Sequence, residues 1–365
     1  MEKYSNLYSV GEMKKLILLV GCIFFFFNTL FSQSLQYKSK YPDIPIVDVH
    51  SHAGVEDYDN LIKVSETIKQ KYGSNLAFWI GLSSTNPAKI KTVADRMFFA
   101  VAGPSGNFEV TPSIHNAYEG VGANDYVEEV IRKVNNEGYI GIKIHFGSYY
   151  RIENRGEIII DRLDDPRFMN FFSRLEEENV LVTSLHIAEP NGPYDKRSTD
   201  RYLTRFTTND PVYFWRQIRS FENILAKYPN LSIVAAHAAF LYAQDAQIDF
   251  LRYLLSTYPN LYIDIAAIYH MYYSIRDNIR DFFIEYQDRI LFGSDFGTIH
   301  DNRIESNADL YANLFAILET TQVINFQFFG NRPIQGLDLS REVLEKIYYR
   351  NALKLYPGLR EAMGL

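Results

Sequence analysis

From residue 44 onward, short apolar runs alternate with longer stretches in which apolar positions recur every three or four residues. The short runs cover 44–52, 76–82, 97–102, 139–145, 180–187, 231–237, 261–267 and 289–295. Most are continuous in Val, Ile, Leu, Phe and Ala, the pattern of parallel strands buried on both faces. The periodic stretches at 125–136, 166–178, 211–228, 248–258, 275–286 and 341–355 predict helices. In the first of them Val127, Val130, Ile131 and Val134 share one face. Strand–helix alternation predicts an α/β fold. Pro229-Asn230-Leu231 and Pro259-Asn260-Leu261 mark two helix-to-strand turns in the same way, as expected of equivalent units around one sheet.

Eight strands fit either an open doubly wound sheet or a closed (β/α)8 TIM barrel. Polar residues decide between them. His50 and His52 close the first run, two residues apart and therefore on one face of a strand. His186 lies near the end of the fifth run, His237 ends the sixth and Asp295 ends the eighth. Buried without partners, such groups cost about 2–7 kcal/mol each. A shared metal ion removes most of that cost, and functional residues at the downstream ends of several strands are the mark of a barrel.

The segment before residue 35 reads as separate from the fold. Lys14 and Lys15 precede an apolar run from 16 to 31, followed by Ser32-Gln33-Ser34. That is the order of a signal peptide, with cleavage near Ser32 or Ser34. It predicts a leader over 1–34, a single barrel domain over 35–365, and an exported protein, periplasmic or extracellular. Met13 directly precedes the basic pair, and so is a candidate start of translation. The apolar run is short for a membrane span, so no stable span is expected after leader cleavage. Cys22, the only cysteine, follows Leu19-Val20-Gly21 as in a lipoprotein box, but the apolar run continues past it. The mature chain then has no disulfide, thiolate ligand or cysteine nucleophile. The full chain of 365 residues is 47% hydrophobic with a net charge of −7 and no long basic run, which argues against a nucleic-acid partner.

Several segments together resemble the amidohydrolase superfamily, in the branch that also holds aminocarboxymuconate-semialdehyde and resorcylate decarboxylases. They are Val47-Asp48-Val49-His50-Ser51-His52, Gly141-Ile142-Lys143-Ile144, Asp164-Asp165-Pro166-Arg167-Phe168, His186-Ile187-Ala188-Glu189-Pro190, Pro259-Asn260-Leu261-Tyr262-Ile263-Asp264-Ile265, Arg289-Ile290-Leu291-Phe292-Gly293-Ser294-Asp295, and Val343-Leu344-Glu345-Lys346-Ile347-Tyr348 with Asn351-Ala352. The likeness runs from about residue 44 to 356. It implies that His50, His52, His186 and Asp295 hold a metal and that His237 faces the substrate. Ala238-Ala239 stand where such proteins commonly have glycine after that histidine, and His145-Phe146-Gly147-Ser148 differs from the bulky or basic residue usual after the lysine.

Other residues are candidates for the pocket. Lys143 is either a carboxylated bridge between two cations, as in dimetal relatives, or an inward lysine paired with a carboxylate. His145 lies two residues further along the same strand face. Glu189, His270 and His300 fall after the fifth, seventh and eighth runs, where barrel loops carry function. His115 reads as a surface histidine, and the charged stretches 149–165 and 190–210 read as excursions that serve as lids or subunit contacts.

The expected activity is metal-assisted hydrolysis of a small ester, lactone or amide. One divalent cation is expected, zinc by the ligand set with manganese as the alternative. Asp295 is expected to move the proton of the attacking water, and His237 to bind the carbonyl oxygen. The alternative is non-oxidative decarboxylation of an unsaturated or aromatic acid at the same metal site. A non-catalytic binding protein would have lost a ligand, yet all four are present. The partner is thus a small-molecule substrate, and the sequence leaves a homo-oligomer open.

Overall fold

The computed structural model describes residues 36–82, 96–101, 123–146, 162–188, 211–242, 244–269, 272–297, 303–326 and 332–365. The segments 147–161 and 189–210, and with them the charged excursions, lie almost wholly outside the described residues, as do the leader, His115, Glu189, His270 and His300. Lys38–Leu365 form one compact unit.

Eight parallel strands occupy the eight predicted runs: β1 (Pro45–Ser51), β2 (Asn75–Gly81), β3 (Met97–Phe99), β4 (Ile142–Phe146), β5 (Val182–Ile187), β6 (Ile233–Ala235), β7 (Leu261–Asp264) and β8 (Ile290–Leu291). They pair in the orders β1-β2-β3 and β4-β5-β6-β7-β8. Backbone hydrogen bonds join these two sheets at both ends. Val101, just after β3, donates to Gly141 O at 2.8 Å, and Lys143 donates to Val101 O at 3.0 Å. At the other seam, Val49 donates to Phe292 O at 3.0 Å, Asp295 to His50 O at 2.8 Å, and His52 to Phe296 O at 2.7 Å. Pairing therefore runs around a ring of strands, the α/β barrel that the pattern predicts.

The helices between the strands are α1 (Tyr58–Tyr72), α2 (Ala123–Glu137), α3 (Met169–Glu177), α4 (Pro211–Lys227), α5 (Asp245–Thr257), α6 (Tyr272–Glu285) and α7 (Ile304–Glu319). An antiparallel hairpin, β9 (Val323–Phe326) with β10 (Arg332–Gln335), follows α7. The chain closes with α8 (Arg341–Glu345), a π-turn at Lys346–Arg350, α9 (Asn351–Leu355) and a last helical turn, α10 (Leu359–Ala362). Helices α1 and α7 and the hairpin go beyond the elements the sequence pattern predicts. None of the described helices is long and apolar enough to cross a membrane.

The two Pro-Asn-Leu turns are equivalent, as expected. Leu231 donates to Tyr228 O at 3.1 Å, and Leu261 donates to Tyr258 O at 3.2 Å. The buried Asn260 side chain ties the second turn to the first, donating to the carbonyls of Tyr228 and Leu231. Strand β1 is buried along both faces. Val47 and Val49 enter a core with Ile80, Val234 and Leu291 that also takes in Ala352 and Tyr356 from the end of the chain. Asp48 and His50 alternate with them and take the other face.

Regular pairing of β6 and β8 stops short of the runs that predict them. After β6 the chain enters a left-handed turn at His237. After β8 the Ser294 amide donates to the side chain of Asp48 on β1 at 3.0 Å, and not to a backbone carbonyl of that strand.

Gly141 stands where the two sheets meet. Its φ is +148°, and a Cβ there would lie 2.2 Å from Leu181 O. Gly141→Ala should therefore lose about 1–3 kcal/mol, the usual scale of overpacking. Urea denaturation measures this, and an unchanged midpoint would contradict the close approach of β4 to β5.

Candidate metal centre

Histidines from four strand ends meet at one end of the barrel. The His50 ring centre is 5.3 Å from that of His52 and 4.8 Å from that of His237. His237 in turn meets His186 edge-on at 5.1 Å. His145 pairs with His186 in the β4–β5 register, and the two rings stack at 4.1 Å. His237 also stacks on Phe240 at 4.9 Å. Of the predicted site residues that lie among the described ones, all seven come together: His50, His52, Lys143, His145, His186, His237 and Asp295.

The tightest convergence involves Asp295. Its Oδ1 lies 3.1 Å from His50 Nε2 and 3.0 Å from His52 Nε2. These three residues offer donor atoms within 4.8 Å of one another. A second such set is His50, His237 and Asp264. His186 is in neither set and stands one ring away, against His237.

Asp264 was not singled out by sequence reasoning, although it too ends an apolar strand. It is fully buried. Its Oδ2 accepts from His50 Nδ1 at 2.9 Å, and its Oδ1 accepts from the backbone N–H groups of His237 and Ala266 at 2.9 and 3.1 Å. Both oxygens are thus engaged by N–H donors from the site's own histidines and the β7 end. Asp48, also buried and also missed, does similar work at the β1–β8 seam. Its Oδ1 accepts from the N–H groups of His50 and Ser294 at 3.0 Å each, and its Oδ2 accepts from the hydroxyls of Ser294 and Tyr311 at 2.5 and 2.7 Å. The signal for it was its place two residues before His50 on the same strand face. Gly293 lets this seam close, since a Cβ there would sit 2.9 Å from His50 Cβ.

The acceptors that the His50 and His237 rings face assign a hydrogen to one nitrogen of each. A carboxylate can only accept, so neutral His50 is protonated on Nδ1 and turns the Nε2 lone pair toward Asp295. A lone pair and a carboxylate oxygen 3.1 Å apart need a positive charge between them. Either a proton or a metal cation supplies it, so the donor set fits a cation. His237 Nδ1 lies 2.9 Å from Ala266 O, which also only accepts. Neutral His237 therefore offers Nε2 as an acceptor, whereas binding a carbonyl oxygen needs a donor.

Electrostatics follow the same logic. Burial lowers His237 to about 3, with the charges of His50 and His186 adding to the effect against the pull of Asp295. Burial and the Lys143 ammonium lower His186 to about 3. His145 is pushed down in the same way. His50 moves up, because Asp264 and Asp295 outweigh its burial and Lys143. Although burial opposes it, Asp295 is held well below the usual carboxylate range by His237, His50 and His52. Burial brings Lys143 down to about 8, against the pull of Asp295 and Asp264. Its Nζ donates to Ser184 Oγ at 2.8 Å and lies 3.4 Å from His50 Nε2.

Strain gathers at the same end of the barrel. His237, Ala238, Ala239 and Phe240 all have left-handed φ values, between +47° and +56°. Ala188 after β5, Ala267 after β7 and Asp295 after β8 are left-handed too, at +60°, +55° and +65°. Each such residue costs roughly 1–2 kcal/mol when it is not glycine, and strain of this kind clusters at functional sites.

A family model described as Amidohydrolase matches residues 120–358. Among solved structures, a 2,6-dihydroxybenzoate decarboxylase from Rhizobium is similar at 15% identity, over 88% of this chain and 98% of that one, with a TM-score of 0.47. A dihydroxybenzoic acid decarboxylase from a Polaromonas species, with bound manganese and the inhibitor 2-nitroresorcinol, is similar at 13% identity over 90% and 100% of the chains, with a TM-score of 0.47. An amidohydrolase from Burkholderia multivorans with bound zinc is similar at 12% identity over 85% and 98%, with a TM-score of 0.40. No curated protein matches.

The lowered histidines predict how the metal-free protein responds to acid. His186 and His237 titrate at about 3 when folded and at the ordinary 6.5 when unfolded. Between those values the unfolded chain binds more protons, so stability is complete above pH 6.5 and is lost as the pH falls toward 3. For buried His237 the loss is on the order of 1 kcal/mol per pH unit. Thermal melts of chelator-treated protein from pH 8 to pH 4 test this. A melting temperature that stays level below pH 6.5 would contradict the burial of neutral rings.

Proposed function

Because this chain belongs to the amidohydrolase family, its match covering well over half of the sequence, we propose that it is a metal-dependent hydrolase of a small ester, lactone or amide. The observation that carries this reading is the approach of His50 Nε2 and His52 Nε2 to one oxygen of Asp295, at 3.1 and 3.0 Å. With His186 as the fourth donor, three imidazoles and one carboxylate suit zinc, and manganese is the alternative. A divalent cation held there polarises a carbonyl and makes a water molecule more acidic.

The chain's own residues then handle substrate and protons. Asp295 keeps 27% of its side chain exposed, while His50 is fully covered. Its carboxylate can therefore meet a water, take its proton and pass that proton to the leaving group. His237 accepts a hydrogen bond at Nε2 and orients the attacking water. Lys143 and His145 line the same pocket and shape what it admits.

Residues 1–34 are proposed as an export leader, on the strength of Lys14-Lys15 and the apolar run after them. The remaining 35–365 then form one domain, placed in the periplasm or outside the cell.

Two variants test the site and a substrate panel tests the reaction. His186→Ala should lose both metal and activity. His237→Ala should keep most of its metal, while its kcat falls by about 10²–10⁴-fold, the range for one general acid–base group. Metal content and rate are measured on the same preparations. Loss of metal from His237→Ala as complete as from His186→Ala would make His237 a ligand and overturn the assignment. On a panel of esters, lactones, amides and aromatic acids, carbon dioxide release without any hydrolysis would replace this reading with decarboxylation.

A further inference from the structure

The carboxylate of Asp264 stands between the proposed cation-binding residue His50 and His237, the proposed hydrogen-bond acceptor for water. It is fully buried at the end of β7, with its two oxygens divided between the two sides. Oδ2 accepts the Nδ1 hydrogen of His50 at 2.9 Å. Oδ1 accepts the backbone N–H of His237 at 2.9 Å and that of Ala266 at 3.1 Å. The Ala266 carbonyl in turn accepts from His237 Nδ1 at 2.9 Å. The β7 end thus grips His237 twice, once by its backbone and once by its ring. That grip falls at the first residue of the left-handed run His237 to Phe240.

We propose that Asp264 is a positioning residue that directs the lone pairs of both histidines into the site. On one side it fixes the His50 tautomer, so that Nε2 is free of hydrogen and points at Asp295. On the other it locks the turn that carries His237 to the β7 end, so that the ring meets the Ala266 carbonyl and keeps its own Nε2 free of hydrogen. One carboxylate then sets the cation-binding nitrogen of His50 and the water-orienting nitrogen of His237 together. Replacing a residue that orients a ligating histidine through its second nitrogen typically costs about 10–100-fold in metal affinity or activity. The affinity part of the proposal rests on the metal-dependent reading above, whereas the tautomer part does not.

Asp264→Asn separates these roles. The amide oxygen can still accept from the His237 and Ala266 backbones, so the turn and the melting temperature should persist. The amide NH₂ facing His50 Nδ1 is a donor, which forces that nitrogen to accept and moves the ring hydrogen to Nε2. Zinc affinity, measured by competition with a chromophoric chelator, should fall by about 10–100-fold. In metal-free protein at alkaline pH, ¹⁵N–¹H correlation of the imidazoles should show His50 changing from the Nδ1–H to the Nε2–H tautomer. Asp264→Ala should lose zinc affinity as well, and should also release the His237 ring from its Nδ1–H form.

The proposal is overturned if Asp264→Asn keeps the Nδ1–H tautomer of His50, or binds zinc as tightly as the unaltered protein. If the unaltered protein binds no divalent cation, the metal-dependent reading fails and the tautomer measurement still decides the role of Asp264. Should Asp264→Asn not fold, the unaltered protein decides it alone: a neutral His50 found as Nε2–H contradicts the proposal.

Discussion

His50 Nε2 and His52 Nε2 face the same oxygen of Asp295, and the back of the His50 ring is already committed to Asp264. Electron pairs brought this close repel unless a positive charge lies between them. The surrounding structure adapts to that requirement. The barrel seam between β1 and β8 is drawn together by Asp48, which accepts from both His50 and Ser294 and so fixes the spacing between the first histidine and Asp295. Gly293 gives up a side chain so that His50 fits. Lys143, 3.4 Å from His50 Nε2, brings a second positive charge to the same place, and its burial makes that charge easier to lose.

The strained strand ends have a common origin in this geometry. A strand that continued straight would carry its last side chains alternately in and out of the barrel. Left-handed residues after β5, β6, β7 and β8 break that alternation and turn the chain over the barrel end. At His237 the turn is four residues long and is tied down by Asp264 and the Ala266 carbonyl. The alanines at 238 and 239 hold a backbone conformation that glycine would adopt at no steric cost. Hydrogen bonding to β7 and packing of Phe240 on His237 offset that cost.

Much of this was legible in the sequence. All eight strands lie within or beside their apolar runs, because burial on both faces leaves a continuous signal. Helix α7 was not, because Ala308, Tyr311, Ala312 and every residue from Leu314 to Glu319 are buried, and a helix covered nearly all round has no polar stripe to set its period. Helix α1 does have an apolar face, Leu61, Val64 and Ile68, but Lys and Glu between them dilute it. Four histidines and Asp295 were found by their places at strand ends, and His145 by sharing a strand face with Lys143. Asp264 sat in a motif that carried the family resemblance, yet its function depends on two partners, at 50 and 237, whose proximity only the closed barrel creates. The same is true of the His237 tautomer, which is set by a carbonyl 29 residues away.

The central claim is that these donors form a site for a single cation. A crystal of zinc-loaded protein, with anomalous diffraction recorded at the zinc edge, tests it most directly. The account predicts one strong peak per chain, at about 2.0–2.2 Å from nitrogens of His50, His52 and His186 and from an oxygen of Asp295, with Lys143 unmodified. Two peaks bridged by a carboxylated Lys143, or no peak among these residues, would contradict it.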